Sequence, residues 1–399
     1  MARIRQAAGR QDARGVPLCR GGPVAAAAGA HGAPARGHRA ILWRHERRRG
    51  RSNAPSPSLD PSAAGTAGPD AWPVPADRQP CAARTGGARP AAAALCRYRT
   101  ARPVDPGDLD VTTPVNPSAQ PALDGARLDA YLDRIGLQQR PAPSLEALDA
   151  IVAAHLRRIP FENIDVLLGR PIDIALDAVF DKLVTRERGG YCFEHNTLLA
   201  AALTALGFEA MPLAARVRYG IDEGVPTPQS HLLLRVRVAH RDYIADVGFG
   251  GPNPPCALPL SEPAPETLPF RLVGAPSSAP SSGAYHLLDL ELKTEHGWTK
   301  LYRFDLSPQA WIDYAARNWY VCTHPDSVFL HRLMAARTDG AVRLTMTNGE
   351  LTERDADGAS RHVRLETPEQ IVATLRERIG VRLDDETAAG LREWLARQG

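Results

Sequence analysis

Apolar positions fall into no regular period until about residue 122. From there Leu128, Tyr131, Leu132 and Ile135 recur at intervals of three and four, which predicts a helix with one buried face. Gly136 follows where a left-handed cap is favoured. Ser144 introduces a second helix through Leu145, Leu148, Ile151, Val152 and Leu156, and Pro160 ends it. A third is expected from Ile174 to Val184, with Leu176, Val179, Phe180 and Leu183 on one face. After Gly207 the period becomes two. Ala215 to Tyr219, Leu232 to Val238, Tyr243 to Val247, Tyr285 to Leu292 and Trp298 to Phe304 read as antiparallel strands of a sheet or small barrel. The Pro- and Ser-rich run from Pro252 to Gly283 reads as a long irregular loop. Beyond Trp311 come a helix, strands near Val342 to Met346 and Arg361 to Leu365, and two amphipathic helices from Pro368 to Arg397. Helices, then strands, then a mixed tail argue for an α+β fold rather than alternating βαβ units. No internal repeat is visible.

Composition sets the first 120 residues apart. Ala (25), Arg (17), Gly (12) and Pro (11) supply 65 of the first 100 positions. Burial at about 25 cal/mol per Å² of apolar surface cannot there offset the roughly 1 to 2 kcal/mol per residue lost on ordering backbone. This stretch is expected to be disordered, or to lie upstream of a true translation start near Val111 or Val115. Charge divides at the same place. Met1 to Arg127 carries 19 Arg, no Lys and 9 acidic residues, a net +10, whereas the remainder is net −7. The run from Arg44 to Arg51 lacks interleaved aromatic residues for base stacking, so nucleic acid is not expected as a partner. No run of about 20 apolar residues and no secretory leader pattern is present, so the protein is expected in the cytoplasm, away from membranes. The six cysteines form no C-x-x-C pair, and no disulfide framework or metal site is expected.

The sharpest local feature is Arg188-Gly189-Gly190-Tyr191-Cys192-Phe193-Glu194-His195-Asn196. Two glycines permit a tight turn, and Cys192 then falls in the first turn of a helix, where N–H groups and the positive helix end favour a thiolate. Such a nucleophile needs a base, and the base needs an orienting group. His231 and Asp246 are the candidates. Leu232 to Val238 should pair with Tyr243 to Val247, and a loop with an even number of residues puts Asp246 on the same sheet face as His231. An odd loop separates them. Taken singly, Cys192 reads as a small buried residue, His231 as a satisfied histidine and Asp246 as a turn former. Gly248 to Gly251 is no G-x-G-x-x-G and carries no case for a dinucleotide.

Together with the Cys192 motif, three blocks resemble the arylamine N-acetyltransferases: His155 to Asn163 (HLRRIPFEN), His231 to Leu234, and Asp246 to Gly251 (DVGFGG). The resemblance runs from about Leu123 to the C-terminus. It implies an α+β protein with a helical bundle (121–207) carrying the nucleophile, an antiparallel β-barrel (208–310) carrying His and Asp, and an α/β lid (311–399). These surround a papain-like Cys/His/Asp core and follow the 1–120 extension. By this resemblance Cys192 accepts the acyl group, His231 is general base and acid, and Asp246 orients the imidazole. Phe161, Tyr191 and Phe249 are implied at the acceptor, Ser230, Gly250 and Gly251 at acetyl-CoA, and Arg188 with Glu162 as a brace for the active-site turn. Asn318 to Phe329 is similar to the family as well, except that Cys322 stands where serine is usual.

The implied activity is transfer of an acetyl group from acetyl-CoA, through a cysteine thioester, to an arylamine or hydrazine. Two enzymatic alternatives keep the triad: an amide synthase of the same family acting on a carrier-bound polyketide, and a thiol amidohydrolase, which needs an open groove and water. An inactive binding module is disfavoured because all three triad positions are filled. The oligomeric state is not legible.

Overall fold

The computed structural model describes residues 121–275, 287–339, 342–355 and 358–398. The expected extension 1–120 therefore lies outside the described residues. Three short layers follow one another along the chain.

Helices come first. α1 (Gly125–Ile135) buries Leu128, Tyr131, Leu132 and Ile135, and Gly136 caps it with φ 83°. α2 (Leu145–Arg158) starts at Ser144, whose side chain accepts from the Ala147 N–H, and ends before Pro160 because proline cannot continue the ladder. A two-residue strand β1 (Phe161–Glu162) and the single-turn α3 (Ile164–Leu167) come next. The helix expected over 174–184 divides into α4 (Leu176–Phe180) and a π-helical turn, Asp181–Thr185, which places Lys182, Leu183 and Val184 inside. α5 (Cys192–Ala205) is buried along nearly its whole length. Its apolar residues surround it rather than forming a stripe, as expected for a central helix.

The strands β2 (Glu209–Val217), β3 (Gln229–Val238), β4 (Arg241–Ala245), β5 (Leu258–Pro259), β6 (Phe270–Gly274), β7 (Leu288–Thr294) and β8 (Gly297–Phe304) form one antiparallel sheet in the order β5-β4-β3-β2-β8-β7-β6. Leu258 of one edge strand and Phe270 of the other join the same apolar cluster as Leu213, Leu233, Leu290 and Phe304, so the sheet curls into a nearly closed barrel. The opposite face of β3 and β4, with Leu234, Val236, Tyr243 and Ala245, packs on α1, α2 and α5. β3 is buried on both faces. The irregular loop expected over Pro252 to Gly283 is corrected in part: it contains β5 and β6, and β6 pairs with β7. Its residues from 276 lie outside the described ones.

After α6 (Asp313–Thr323), the strands β9 (Met334–Asp339), β10 (Val342–Thr347), β11 (Glu350–Arg354) and β12 (Ser360–Arg364) extend from β1 into a second antiparallel sheet. α7 (Pro368–Thr374), its π-helical continuation Leu375–Ile379, and α8 (Asp385–Ala396) cover it through Ile371, Leu375, Leu391 and Trp394. β9 and β11 were not expected from the sequence. β9 has two alanines where β-branched residues would signal a strand, and β11 has Leu351 as its one apolar residue. Among the described residues no helix is long and apolar enough to cross a membrane.

Candidate active site

Cys192 is the first residue of α5, and the turn before it is packed from both sides. Gly189 and Gly190 are needed for closeness rather than for a left-handed φ. A Cβ on Gly189 would lie 2.3 Å from the Pro160 carbonyl oxygen, and one on Gly190 would lie 2.7 Å from Glu194 Oε2. That carboxylate oxygen accepts from the Tyr191 N–H at 3.0 Å, satisfying a donor at the helix start. The Gly190 carbonyl accepts from the Glu162 N–H of β1 at 2.8 Å, so the turn hangs on the second sheet.

Beneath the turn lies a buried charge network. Lys182 Nζ reaches Glu194 Oε1 at 2.8 Å and Asp165 Oδ2 at 2.9 Å, while Arg188 Nη2 reaches Glu162 Oε1 at 2.8 Å and Asp165 Oδ2 at 3.3 Å. Arg188 and Glu162 are 3% and 0% exposed, which removes any reading of them as surface charges. Their contact is not fork to fork: Arg188 Nε and Nη2 both donate to Glu162 Oε1, and Oε2 accepts from the Ile164 N–H. Burial raises the Glu194 carboxyl despite Lys182 beside it. Burial also opposes the Lys182 charge, but Glu194, Glu162 and Asp165 outweigh it and raise that ammonium.

β3 and β4 bring in the other two groups. Val238 pairs with Arg241 across a two-residue turn, Ala239-His240, both with positive φ. The loop is thus even, and Leu234 faces Ala245. By the same register Asp246 falls opposite Leu233, on the face that carries His231. His231 Nε2 donates to Asp246 Oδ2 at 2.7 Å. The other carboxylate oxygen accepts from Asn196 Nδ2 at 3.0 Å and from the Gly248 N–H at 2.9 Å. Burial disfavours the imidazolium, but the Asp246 carboxylate and Cys192 outweigh it and raise His231 to about 10. Asp246 is held below its usual range, the cost of burial being exceeded by His231, Asn196 and the Gly248 N–H.

Cys192 meets this pair at a β-bulge. Ala215 of β2 faces His231 and Arg216 faces Gln229, so Ser230 is the extra residue of β3. A bulge re-aims the chain, and the Ser230 carbonyl accepts from Cys192 Sγ at 3.6 Å. Two residues that the sequence reading did not single out complete the junction. Asn196, one turn along α5 from the thiol, also donates to the Leu232 carbonyl at 2.7 Å and accepts from the Val247 N–H. A Cβ on Gly248 would meet Cys192 Cα at 2.7 Å. Asn196 lies within the Cys192 motif, and its i+4 spacing was the available signal.

Among the other expected residues, the half-buried Phe249 meets the His231 ring edge-on at 5.4 Å. Phe161 is 6% exposed and lies under Gly250, where a Cβ would come within 2.5 Å of its ring. Gly250 has φ 77°, which favours glycine independently. Gly251 is buried, and its carbonyl accepts from the Asn253 N–H. Tyr191 was also expected at the acceptor. It is fully buried, its hydroxyl donates to Asn318 Oδ1 of α6, and its ring packs on Phe193 and Phe329. These contacts brace the start of α5. Cys322 is half-buried on α6 and bonds back to the Trp319 carbonyl.

A cysteine at a helix start, an imidazole and a buried carboxylate lie together beside a curled sheet, a papain-like arrangement in an α+β fold. A family-wide profile described as N-acetyltransferase matches residues 144–388. The arylamine N-acetyltransferase of Mycolicibacterium smegmatis is 40% identical over 265 residues, 65% of this chain and 93% of that protein. Among solved structures, that of the Nocardia farcinica arylamine N-acetyltransferase superposes with TM-score 0.63 at 34% identity, covering 71% of this chain and 100% of that one. The Mycobacterium marinum enzyme in complex with CoA gives TM-score 0.61 at 34% identity, covering 68% and 98%. This chain belongs to the arylamine N-acetyltransferase family and is an acyltransferase.

Proposed function

We propose that the protein moves an acetyl group from acetyl-CoA to the nitrogen of an arylamine or hydrazine through an acetyl-thioester on Cys192. The carrying observation is the convergence of Cys192, His231 and Asp246, with Asp246 fixed by three donors and the imidazole raised to about 10. The Cys192 thiolate attacks the thioester carbonyl. A new C–S bond forms, the bond to CoA breaks, and the CoA thiolate takes the proton from the His231 imidazolium. The acceptor amine then attacks the acetyl-cysteine, neutral His231 removes its proton, and the amide leaves as the thiolate and imidazolium are restored. Ping-pong kinetics follow. The first N–H groups of α5, which a helix leaves without intrahelical partners, supply donors for the oxyanion. Phe161 and Phe249 serve the acceptor in this reading, while Ser230, Gly250 and Gly251 serve acetyl-CoA.

Cys192, His231 and Asp246 are 5%, 2% and 3% exposed, which suits acyl transfer in a water-poor site better than hydrolysis of a peptide in an open groove. A free Cys192 thiol is compatible with a reducing compartment such as the cytoplasm. Intact mass spectrometry after incubation with acetyl-CoA alone should show one added acetyl group, lost when an arylamine is supplied. Equal acetylation of Cys192→Ala would overturn the assignment.

A further inference from the structure

Behind the catalytic helix, three buried polar side chains from three helices form a line that the acyl-transfer steps do not use. Tyr131 of α1 contacts His155 Nδ1 of α2 at 2.9 Å, and His155 Nε2 contacts His195 Nδ1 of α5 at 2.9 Å. His195 Nε2 ends the line on two backbone carbonyls, Pro160 at 3.2 Å and Gly190 at 3.1 Å. All three residues are fully buried. Burial holds both imidazoles neutral; His195 is lowered to about 4, and His155 lies well below its usual value.

The direction of every hydrogen bond then follows from its far end. Carbonyl oxygens only accept, so the single proton of His195 sits on Nε2. Its Nδ1 must accept, and His155 therefore carries its own proton on Nε2. His155 Nδ1 accepts in turn, leaving Tyr131 as the donor that closes the line. The chain has one consistent tautomer set and no spare proton.

What it holds is the nucleophile's turn. Gly190 lies two residues before Cys192, and Pro160 immediately precedes β1. A parallel bridge between Phe161 and Gly190 joins the same two segments. The His195 ring also lies parallel to Phe161, at 12° and 6.5 Å between centroids. Buried polar groups are costly unless fully bonded, and here the line ends on the Pro160 and Gly190 carbonyls, one just before Phe161 and one two residues before Cys192. We propose that His195, oriented by His155 and Tyr131, is a positioning residue that sets both the peptide plane ahead of Cys192 and the ring of Phe161.

The proposal rests on Cys192 as the acyl acceptor, and its tests separate the two. In the full-length wild-type chain, ¹⁵N imidazole spectra at neutral pH should show His155 and His195 as neutral Nε2–H tautomers. An Nδ1–H tautomer or an imidazolium at either residue overturns the proposal, whatever the chain's activity. Single-turnover acetylation is then followed by intact mass. His195→Leu, which can neither accept nor donate, should slow Cys192 acetylation about tenfold and raise the acceptor KM. His195→Gln can do both and should recover most of the rate. Wild-type behaviour of His195→Leu overturns the proposal, as does a folded His195→Gln that is as slow as His195→Leu. Should His195→Leu fail to fold, Tyr131→Phe replaces it: a slower acetylation with unchanged CD supports the line, and an unchanged rate overturns it. A wild-type chain that never takes an acetyl group on Cys192 would fail the functional reading alone.

Discussion

Gly248→Ala isolates the junction between the Asp246 loop and Cys192. Gly248 has no left-handed φ, so the cost of a methyl group there is one of space. The new Cβ would lie 2.7 Å from Cys192 Cα, 2.8 Å from Asn196 Nδ2 and 3.2 Å from the Cys192 carbonyl oxygen. Backbone atoms cannot rotate away. Reaching ordinary contact at 3.4 Å requires the loop to retreat by about 0.7 Å. Overpacking of this kind costs about 1–3 kcal/mol. Distortion of the Asn196 and Gly248 hydrogen bonds to Asp246 adds about 1 kcal/mol. The sum, about 2–4 kcal/mol, lowers Tm by roughly 4 to 7 °C in a domain of this size. Because Asp246 moves with the loop, the His231 contact at 2.7 Å opens as well. A misplacement approaching 1 Å at a reacting group costs up to about a hundredfold in rate. The assays are thermal unfolding followed by near-UV CD and single-turnover acetylation followed by intact mass. An unchanged Tm together with an unchanged acetylation rate would refute the reasoning, because it would mean the loop does not bear on Cys192.

Three other outcomes are expected. Lys182→Met leaves Glu194 and Asp165 without their shared cation and should cost about 3–5 kcal/mol in denaturant unfolding, as removal of one partner from a buried pair does; a loss within error of zero would show that Arg188 compensates. His231, raised from 6.5 to about 10, contributes stability that is complete below 6.5 and is lost as pH rises through about 10; thermal midpoints of wild type and His231→Asn should converge in that upper range, and a constant difference across it would contradict the pairing. A chain starting near residue 115 retains all residues matched by the family profile and should transfer acetyl to an arylamine at the full-length rate at moderate salt; an inactive but folded product would show that the first segment takes part.

The helices were legible because their information is local. Periods of three and four, Ser144 before α2 and Gly136 after α1 lie within one or two turns of the residues they organise. β3, β4 and β8 were legible for the same reason. β9 and β11 were not, since their burial comes from the facing helices α7 and α8 and not from alternation of their own residues. β1 is two residues long and is a strand because β9 and the Gly190 turn lie on either side of it. The charge network was half legible: Arg188 and Glu162 belong to recognisable blocks, whereas Lys182 is brought inside by a π-helical turn that no periodicity announces.

The sequence by itself determined the chemical inventory: a thiol at a helix start after two glycines, an imidazole and a carboxylate on neighbouring strands, and the family to which their order belongs. Whether His231 and Asp246 share a face was left open by the sequence, and the two-residue turn Ala239-His240 decides it. Tertiary structure alone decided how these groups meet. The bulge at Ser230 turns a carbonyl toward Cys192, Gly248 lets the Asp246 loop touch the Cys192 backbone, and Tyr191 is buried with its hydroxyl on Asn318 of α6. The physical reason is the range of the forces. Propensity and periodicity are set within a few residues, but steric contact and hydrogen-bond satisfaction in a dry interior are set among segments tens of residues apart, and only the packed chain brings those into register.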